Sequence, residues 1–193
     1  MQAKGKIIIF TAPSGSGKTT LAKYALSIFP ELSFSISATT RKPRPNELDG
    51  RDYYYVSQDQ FTSLIDDHKL FEYQEVYNNQ YYGTLNSELE RIWNSNKVAL
   101  FDIDVKGAHR IEQMKQKNVL TIYIKTSSLD VLRARLVNRA SDSEESIEQR
   151  IDRASKELEY SKYFDYVITN DRLELAKKMV ELLISDFLEQ KLD

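Results

Sequence analysis

One segment constrains the fold of this chain more than any other. Ala12-Pro13-Ser14-Gly15-Ser16-Gly17-Lys18-Thr19 lies between an apolar run, Lys6 to Thr11, that reads as a buried strand and a stretch, Thr19 to Phe29, whose apolar residues recur three and four apart as in a helix. A strand, a loop of small residues and a helix in that order make a phosphate-binding loop. Permissive residues let successive backbone N–H groups converge on phosphate oxygens, and the helix N-terminus adds its partial positive charge. Lys18 is then positioned to reach the β and γ phosphates of a nucleotide, and the Thr19 hydroxyl to ligate Mg²⁺. The usual pattern for such a loop opens on Gly, and Ala12 occupies that position here.

The rest of the chain alternates in the way a parallel sheet requires. Further strands are predicted at Val98 to Asp102, Val119 to Ile124 and Tyr166 to Thr169, and helices at Val105 to Gln116, Leu129 to Arg139, Ser146 to Tyr160 and Leu173 to Gln190. Ser127, with Asp130 three residues on, reads as the cap of the Leu129 helix. Alternation of this kind predicts an α/β fold, a P-loop NTPase-type parallel sheet core flanked by helices. Between Ser33 and Gly83 the pattern changes. That segment is rich in Tyr, Thr, Asn and Arg, with short strand-like pieces (Phe34 to Ser37, Tyr53 to Val56, Phe71 to Val76) around one helix, Gln58 to His68. It reads as a small mixed α+β insertion that handles a ligand.

Composition narrows the function classes. The 193 residues carry 27 Lys+Arg against 29 Asp+Glu, for a net charge of -2, which excludes a generally basic nucleic-acid coat while leaving room for local anion sites. There is no cysteine, so neither a disulfide framework nor a thiolate nucleophile is available, and a reducing cytoplasmic setting is expected. The N-terminal apolar run, Ile7 to Phe10, is too short for a signal sequence or a membrane span. A monomer and a homo-oligomer are equally compatible with the sequence.

Two further features bear on chemistry. Asp102 closes the apolar run Val98 to Phe101 in the manner of a Walker B strand, whose terminal carboxylate supports Mg²⁺, often through its water shell. Arginine, unlike lysine, is concentrated in two segments: Arg41, Arg44 and Arg51, and then Arg133, Arg135, Arg139, Arg150 and Arg153. Guanidinium forks hold phosphate bidentately and stay charged, which suits a site where charge moves between two anions. Arg133 and Arg153 read as solvated helix positions, whereas Arg41 and Arg44, in a Pro-bracketed loop, read as phosphate ligands.

With these residues in view the chain resembles the guanylate kinases nearly end to end. The family's phosphate loop, A/G-P-S-G-x-G-K-S/T, is reproduced by Ala12 to Thr19, and its GMP signature, T-R-x-P-R-x-x-E-x-x-G-x-x-Y, by Thr40 to Tyr53. Asp102-Ile103-Asp104-Val105-Lys106-Gly107 resembles the family's D-x-D-x-x-G. The resemblance implies transfer of the ATP γ-phosphoryl group to GMP or dGMP with Mg²⁺, with Lys18, Arg41, Arg139 and Arg150 as catalytic groups. It implies that Ala12 to Thr20, Arg135, Arg139 and Asn170 hold ATP, and that Thr19 and Asp102 hold the metal. Ser37, Arg41, Arg44, Tyr53 and Tyr82 are implied for the GMP phosphate, and Glu72, Thr84 and Asp104 for the guanine. The implied division is a core (1–32, 87–132 and 161–193), a GMP-binding region (33–86) and a lid (133–160). Two departures stand out: the segment before Tyr82 is one residue longer than the family's G-N-Y-Y-G, and Asn138-Arg139-Ala140 lacks both glycines of the family's R-G-R-G.

The chemistry of the bases agrees with that implication. Guanine offers donors at N1 and N2, so carboxylates at Glu72 and Asp104 accept from that edge while a Thr84 hydroxyl gives to O6. Adenine would set its N1 lone pair against a carboxylate, a mismatch that discriminates by about 10⁴ or more. Neither His68 nor His109 falls in a motif, and none is needed as a base: a phosphate monoester has its second pKa near about 6 and is already a nucleophilic dianion at neutral pH. Two other readings share the loop. A non-catalytic interaction module of this fold commonly lacks the loop lysine, which is present here as Lys18, and a kinase of another phosphorylated small molecule would not need the whole GMP signature.

Overall fold

Every residue of Ile7-Ile8-Ile9-Phe10-Thr11 is buried, as a continuous apolar run predicts for a strand covered on both faces. The computed structural model describes residues 5–77, 79–115, 117–138 and 143–190. The chain opens with β1 (Ile7–Thr11) and α1 (Lys18–Ile28), then runs through β2 (Leu32–Phe34), β3 (Ser37–Thr39), β4 (Tyr54–Tyr55), α2 (Gln58–Asp66), β5 (Leu70–Tyr77) and β6 (Gln80–Leu85). Next come α3 (Asn86–Asn94), β7 (Val98–Asp102), α4 (Val105–Gln113), β8 (Val119–Lys125) and α5 (Leu129–Asn138). α6 (Glu144–Leu158), a 3-10 turn (Glu159–Tyr163), β9 (Tyr166–Thr169) and α7 (Leu173–Glu189) complete it.

The core is a five-stranded sheet in the order β2-β7-β1-β8-β9, each strand parallel to its neighbour. Side chains alternate across a strand, so β1 feeds two cores at once. Ile8 and Phe10 pack with Leu21, Ala22 and Ala25 of α1 and with Val180, Ile184 and Phe187 of α7. Ile7 and Ile9 face the other way, toward Leu89 and Ile92 of α3 and Val105, Ala108 and Ile111 of α4. The β1–β7 register sets Phe10 beside Asp102, which brings the end of β7 against the loop that follows β1.

A second sheet, in the order β4-β3-β6-β5, stands apart from the first. It is mixed: β3 runs parallel to β4 and antiparallel to β6, and β5 and β6 form an antiparallel pair. α2 begins with a capping box between Ser57 and Gln60 and buries Phe61 against Tyr73 and Tyr81. α5 and α6 close a third, smaller cluster through Leu132, Leu136, Ile147 and Ala154.

Several expectations shift. The piece read as one strand, Phe34 to Ser37, is two: Phe34 ends β2 and pairs with Leu100 in the core sheet, while Ser37 opens β3 and pairs with Thr84 in the second. The core sheet therefore continues past residue 32. β6 and α3 were not anticipated. Two helices end sooner than periodicity suggests, because His68 and Lys115 adopt left-handed backbone that a helix cannot continue. The cap of α5 is Ser128, whose hydroxyl accepts from Val131 N at 3.3 Å; the Ser127 N–H instead donates to Asp171 Oδ1 at 3.0 Å.

Candidate active site

The loop after β1 folds as the small residues dictate. Gly15 and Gly17 take φ values of 96° and 93°, which side chains resist, and a Cβ on Gly17 would overlap the Asn170 amide. Gly17 is also the N-cap of α1, whose first turn carries no acid of its own, so the partial positive charge of that helix end is kept at the loop. Lys18 Nζ lies 2.7 Å from Asp102 Oδ1 and donates to the Ile103 carbonyl at 2.6 Å, while the Thr19 hydroxyl donates to Asp102 Oδ2 at 2.9 Å. One carboxylate thus gathers the Lys18 and Thr19 side chains at the start of α1.

Above this loop opens a cleft of about 400 Å³. Ala12, Pro13, Ser14, Gly15, Gly17, Lys18, Thr19 and Thr20 form one wall, with Asp102 and Asp104 beside them. The second sheet and its loops supply Ser37, Arg44, Tyr53, Glu72 and Tyr82, and α6 supplies Arg150. Most of the expected site residues, from four separate stretches of chain, therefore meet in one concavity.

At the far end of the cleft two carboxylates converge. Glu72, from β5, is 6% exposed, and burial pushes its carboxyl up to about 7 despite the hydroxyl of Thr84 donating to Oε1 at 2.9 Å. Asp104 is the N-cap of α4, and its Oδ1 accepts from the N–H groups of Lys106 and Gly107 at 2.8 and 3.2 Å. The other oxygens of the two groups both flank Gly107, where an added Cβ would lie 3.0 Å from Glu72 Oε2 and 3.7 Å from Asp104 Oδ2. Both acceptors are thereby held by the second sheet on one side and by a helix N-terminus on the other.

Other expected residues are brought near but turned to different work. Ser16 and Thr84 are each 1% exposed and do not line the cleft; the Thr84 proton is directed at Glu72, not at an incoming base. Arg41 does not line it either. Its guanidinium makes a bidentate pair with Glu47 at 2.8 and 3.0 Å, donates from Nε to the Tyr82 hydroxyl at 3.2 Å and lies over the Tyr53 and Tyr55 rings. Arg41 in turn holds the Glu47 carboxyl down at about 2. Asn170, 3% exposed, sits behind the phosphate loop, where its amide donates to the Ser16 carbonyl at 2.8 Å. Arg135 donates to the backbone carbonyl of Asn170 at 2.5 Å. Arg139, with Ala140, falls outside the described residues.

Sequence reasoning also missed contributors. Arg153, read as a solvated position, lines the cleft and pairs through Nε with Glu157 at 2.6 Å; Glu157, 6% exposed, lines it too. The signal was present, since Arg150, Arg153 and Glu157 are three and four residues apart and share one face of α6. Arg133 does remain a surface residue, in a bidentate pair with Glu148. Phe34 and Val76 complete the lining without any motif to announce them, and Asp52 and Ile103 do so from unspecified positions within the two motifs.

A phosphate loop at the C-terminal edge of a parallel sheet, facing a buried carboxylate pocket across one cleft, defines a P-loop nucleoside monophosphate kinase. The family model described as "Guanylate kinase" matches residues 4–187. The chain belongs to the guanylate kinase family. It is 42% identical to the guanylate kinase of Bacteroides fragilis over 185 residues, covering 96% of this chain and 91% of that protein. With the guanylate kinase of Porphyromonas gingivalis the identity is 43% over 184 residues, covering 95% and 98%. Among solved structures, that of guanylate kinase from Anaplasma phagocytophilum has a TM-score of 0.74 at 27% identity, covering 98% of this chain and 89% of that one.

Proposed function

We propose that the protein catalyses reversible transfer of the γ-phosphoryl group of ATP to GMP or dGMP, giving ADP and GDP or dGDP, in purine nucleotide metabolism. The observation that carries this reading is the convergence of Glu72 and Asp104 over Gly107 in the cleft that also holds the phosphate loop. Above about pH 7, where Glu72 is ionised, two fixed acceptors suit the N1–H and N2–H₂ edge of guanine and repel the N1 lone pair of adenine.

The residues divide the work by charge. The loop N–H groups, with Lys18, cradle the phosphates of ATP. Ser37, Arg44, Tyr53 and Tyr82 hold the phosphate of GMP, with Arg41 keeping Tyr82 and Tyr53 in place from behind. A GMP phosphate oxygen attacks the γ phosphorus, the bond to the β–γ bridging oxygen breaks, and that oxygen keeps the electron pair as ADP leaves. The acceptor arrives as a dianion, so alignment and charge neutralisation by Lys18, Arg150 and the lid segment with Arg139 suffice. The Thr19 hydroxyl and Asp102 carboxylate, 2.9 Å apart, are the hard oxygen donors that suit Mg²⁺, and these two would hold it. When bound, the ion supplies charge neutralisation at the β and γ phosphates.

In this reading residues 33–86 form the GMP-binding region and 133–160 the lid over a core of 1–32, 87–132 and 161–193, and closure of the lid excludes water that would otherwise hydrolyse ATP. No helix among the described residues is long and apolar enough to cross a membrane, and the cytoplasm, where both nucleotides are made and used, is the compartment the reaction implies. The test is a coupled ADP-release assay across GMP, dGMP, AMP, CMP and UMP. Strong acceleration by GMP and dGMP alone is expected; no acceleration by GMP overturns the assignment.

A further inference from the structure

The second sheet joins the core at two places that lie side by side. The chain leaves the core sheet through Ser35 and Ile36, between Phe34 of β2 and Ser37 of β3, and returns where Leu85 of β6 passes directly into Asn86 of α3. Glu88 sits in the first turn of α3, beside both crossings, and belongs to no motif. It is 2% exposed, an unusual place for a carboxylate without a task.

Its four contacts define the task. Oε1 accepts from the backbone N–H of Ile36 at 3.1 Å, and Oε2 from the Tyr54 hydroxyl at 3.2 Å. Arg91, one turn on, donates to both oxygens at 3.0 and 2.6 Å and reaches the Phe34 carbonyl at 3.3 Å. Burial pushes the Glu88 carboxyl up, but the Arg91 guanidinium, the Ile36 N–H and the Tyr54 hydroxyl outweigh it and hold the group below its ordinary range. The Ser35 N–H donates to Leu100 O at 3.0 Å, so the linking peptides are anchored to the core sheet on one side and to α3 on the other. The two residues that Glu88 grips are the immediate neighbours of cleft residues: Ile36 precedes Ser37, and Tyr54 follows Tyr53. β3 and β4 are themselves paired at Ala38 and Tyr54.

We propose that Glu88 is a positioning residue for the acceptor nucleotide: by fixing the Ile36 peptide and the Tyr54 hydroxyl to α3, it sets Ser37 and Tyr53 at the phosphate of the nucleoside monophosphate. This rests on the reading that Ser37 and Tyr53 hold that phosphate. Glu88 touches no substrate itself. A small displacement of positioning groups is costly because alignment, more than any single contact, drives phosphoryl transfer.

The experiment measures KM for GMP at saturating ATP, KM for ATP at saturating GMP, kcat and thermal midpoint for Glu88→Gln, Tyr54→Phe, the double variant, Ser37→Ala and Tyr53→Phe. Glu88→Gln is expected to raise the GMP KM about tenfold with the ATP KM within about twofold. Tyr54→Phe, which removes one hydroxyl and leaves Ile36 held, keeps the fold and raises the GMP KM alone, by a smaller factor. The double variant is expected to fall short of the product of the two, because they break one linkage. A purely structural role predicts a lower midpoint with both KM values moving together, and that result, or an unchanged GMP KM in Tyr54→Phe and Glu88→Gln, overturns the proposal. Ser37→Ala and Tyr53→Phe separate the two failures. If they raise the GMP KM while the Glu88 and Tyr54 variants do not, the positioning role fails and the phosphate site stands. If they have no effect, the phosphate site is misassigned and the route from Glu88 falls with it.

Discussion

The Thr84 hydroxyl donates to the Glu72 carboxylate at 2.9 Å across the β5–β6 pair, so two side chains expected to meet different atoms of a base are bonded to each other. Thr84 therefore fixes Glu72 and leaves Oε2 to face Gly107 and Asp104.

The buried carboxyl of Glu72 makes stability and substrate use depend on pH. Its folded-state value is raised from 4.5 to about 7, so the native protein keeps a proton that the unfolded chain has released. The contribution is fully present below pH 4.5 and is lost as pH rises to about 7. Glu72→Gln keeps the shape and removes the titration, so its midpoint is expected to decline less steeply than that of the parent across this window. The same variant is expected to raise the GMP KM by at least about tenfold at pH 8, with the ATP KM within about twofold. Parallel stability profiles would remove the buried proton from Glu72, and equal effects on both nucleotides would remove Glu72 from the base site.

Lys18 offers a cleaner separation of chemistry from folding. Its side chain is 19% exposed and its partner Asp102 13%, and the Thr19 hydroxyl still donates to that carboxylate, so Lys18→Ala is expected to cost about 1 to 3 kcal/mol of stability. Turnover is expected to fall by about 10² to 10³-fold, the usual loss when a preorganised group facing developing charge is removed. Single-turnover rates with ATP and GMP, read alongside a thermal melt, check both halves. Near-normal turnover in a folded variant sinks the assignment of the loop.

Asn170 was expected at the nucleotide and is found behind the loop that binds it. Asn170→Ala leaves the Ser16 carbonyl without its buried partner, at a cost of about 1 to 3 kcal/mol, and frees the backbone around Gly17. The ATP KM is expected to rise while the GMP KM holds. Asn170→Asp, which sets an acceptor against the Ser16 carbonyl, is expected to be worse than Ala on both counts. Chemical denaturation and steady-state kinetics test the pair, and an Ala variant with parental stability and ATP use would show that the amide does not support the loop.

Much of this arrangement is written locally. Val98–Asp102 falls where its apolar run predicts, since a strand buried on both faces needs no partner information to be recognised, and Tyr166–Thr169 falls where its run predicts although only Ile168 of it is buried. The phosphate loop is legible because its glycines answer to backbone geometry alone. β6 and α3 are harder to see: Tyr81, Tyr82 and Thr84 alternate weakly in a tyrosine-rich segment, and α3 follows without a break. The separate fates of Phe34 and Ser37 depend on which sheet each joins, a fact about Leu100 and Thr84 that no short window contains. Arg41 was read from its motif as a phosphate ligand, but Glu47, in the same motif, engages it first.

The contrast between Arg153 and Arg133 tests how far the cleft extends onto α6. Arg133 and Glu148 pair on the exposed side of the α5–α6 cluster, away from the cleft, so Arg133→Ala is expected to leave both KM values and kcat within about twofold. Arg153 lines the cleft, and its loss leaves the Glu157 carboxylate buried without its guanidinium partner. Burial already pushes the Glu157 carboxyl up, and removing Arg153 is expected to push it further, so that Glu157 takes a proton at higher pH. Arg153→Ala is therefore expected to lower kcat/KM for ATP roughly tenfold, short of the about 10²-fold loss typical of a group bound directly to developing charge. Adding Glu157→Gln should restore part of that loss, because a buried amide needs neither the guanidinium partner nor a proton. Equal behaviour of the Arg133 and Arg153 variants, or no rescue by Glu157→Gln, would return Arg153 to the solvated role that its helix pattern first suggested.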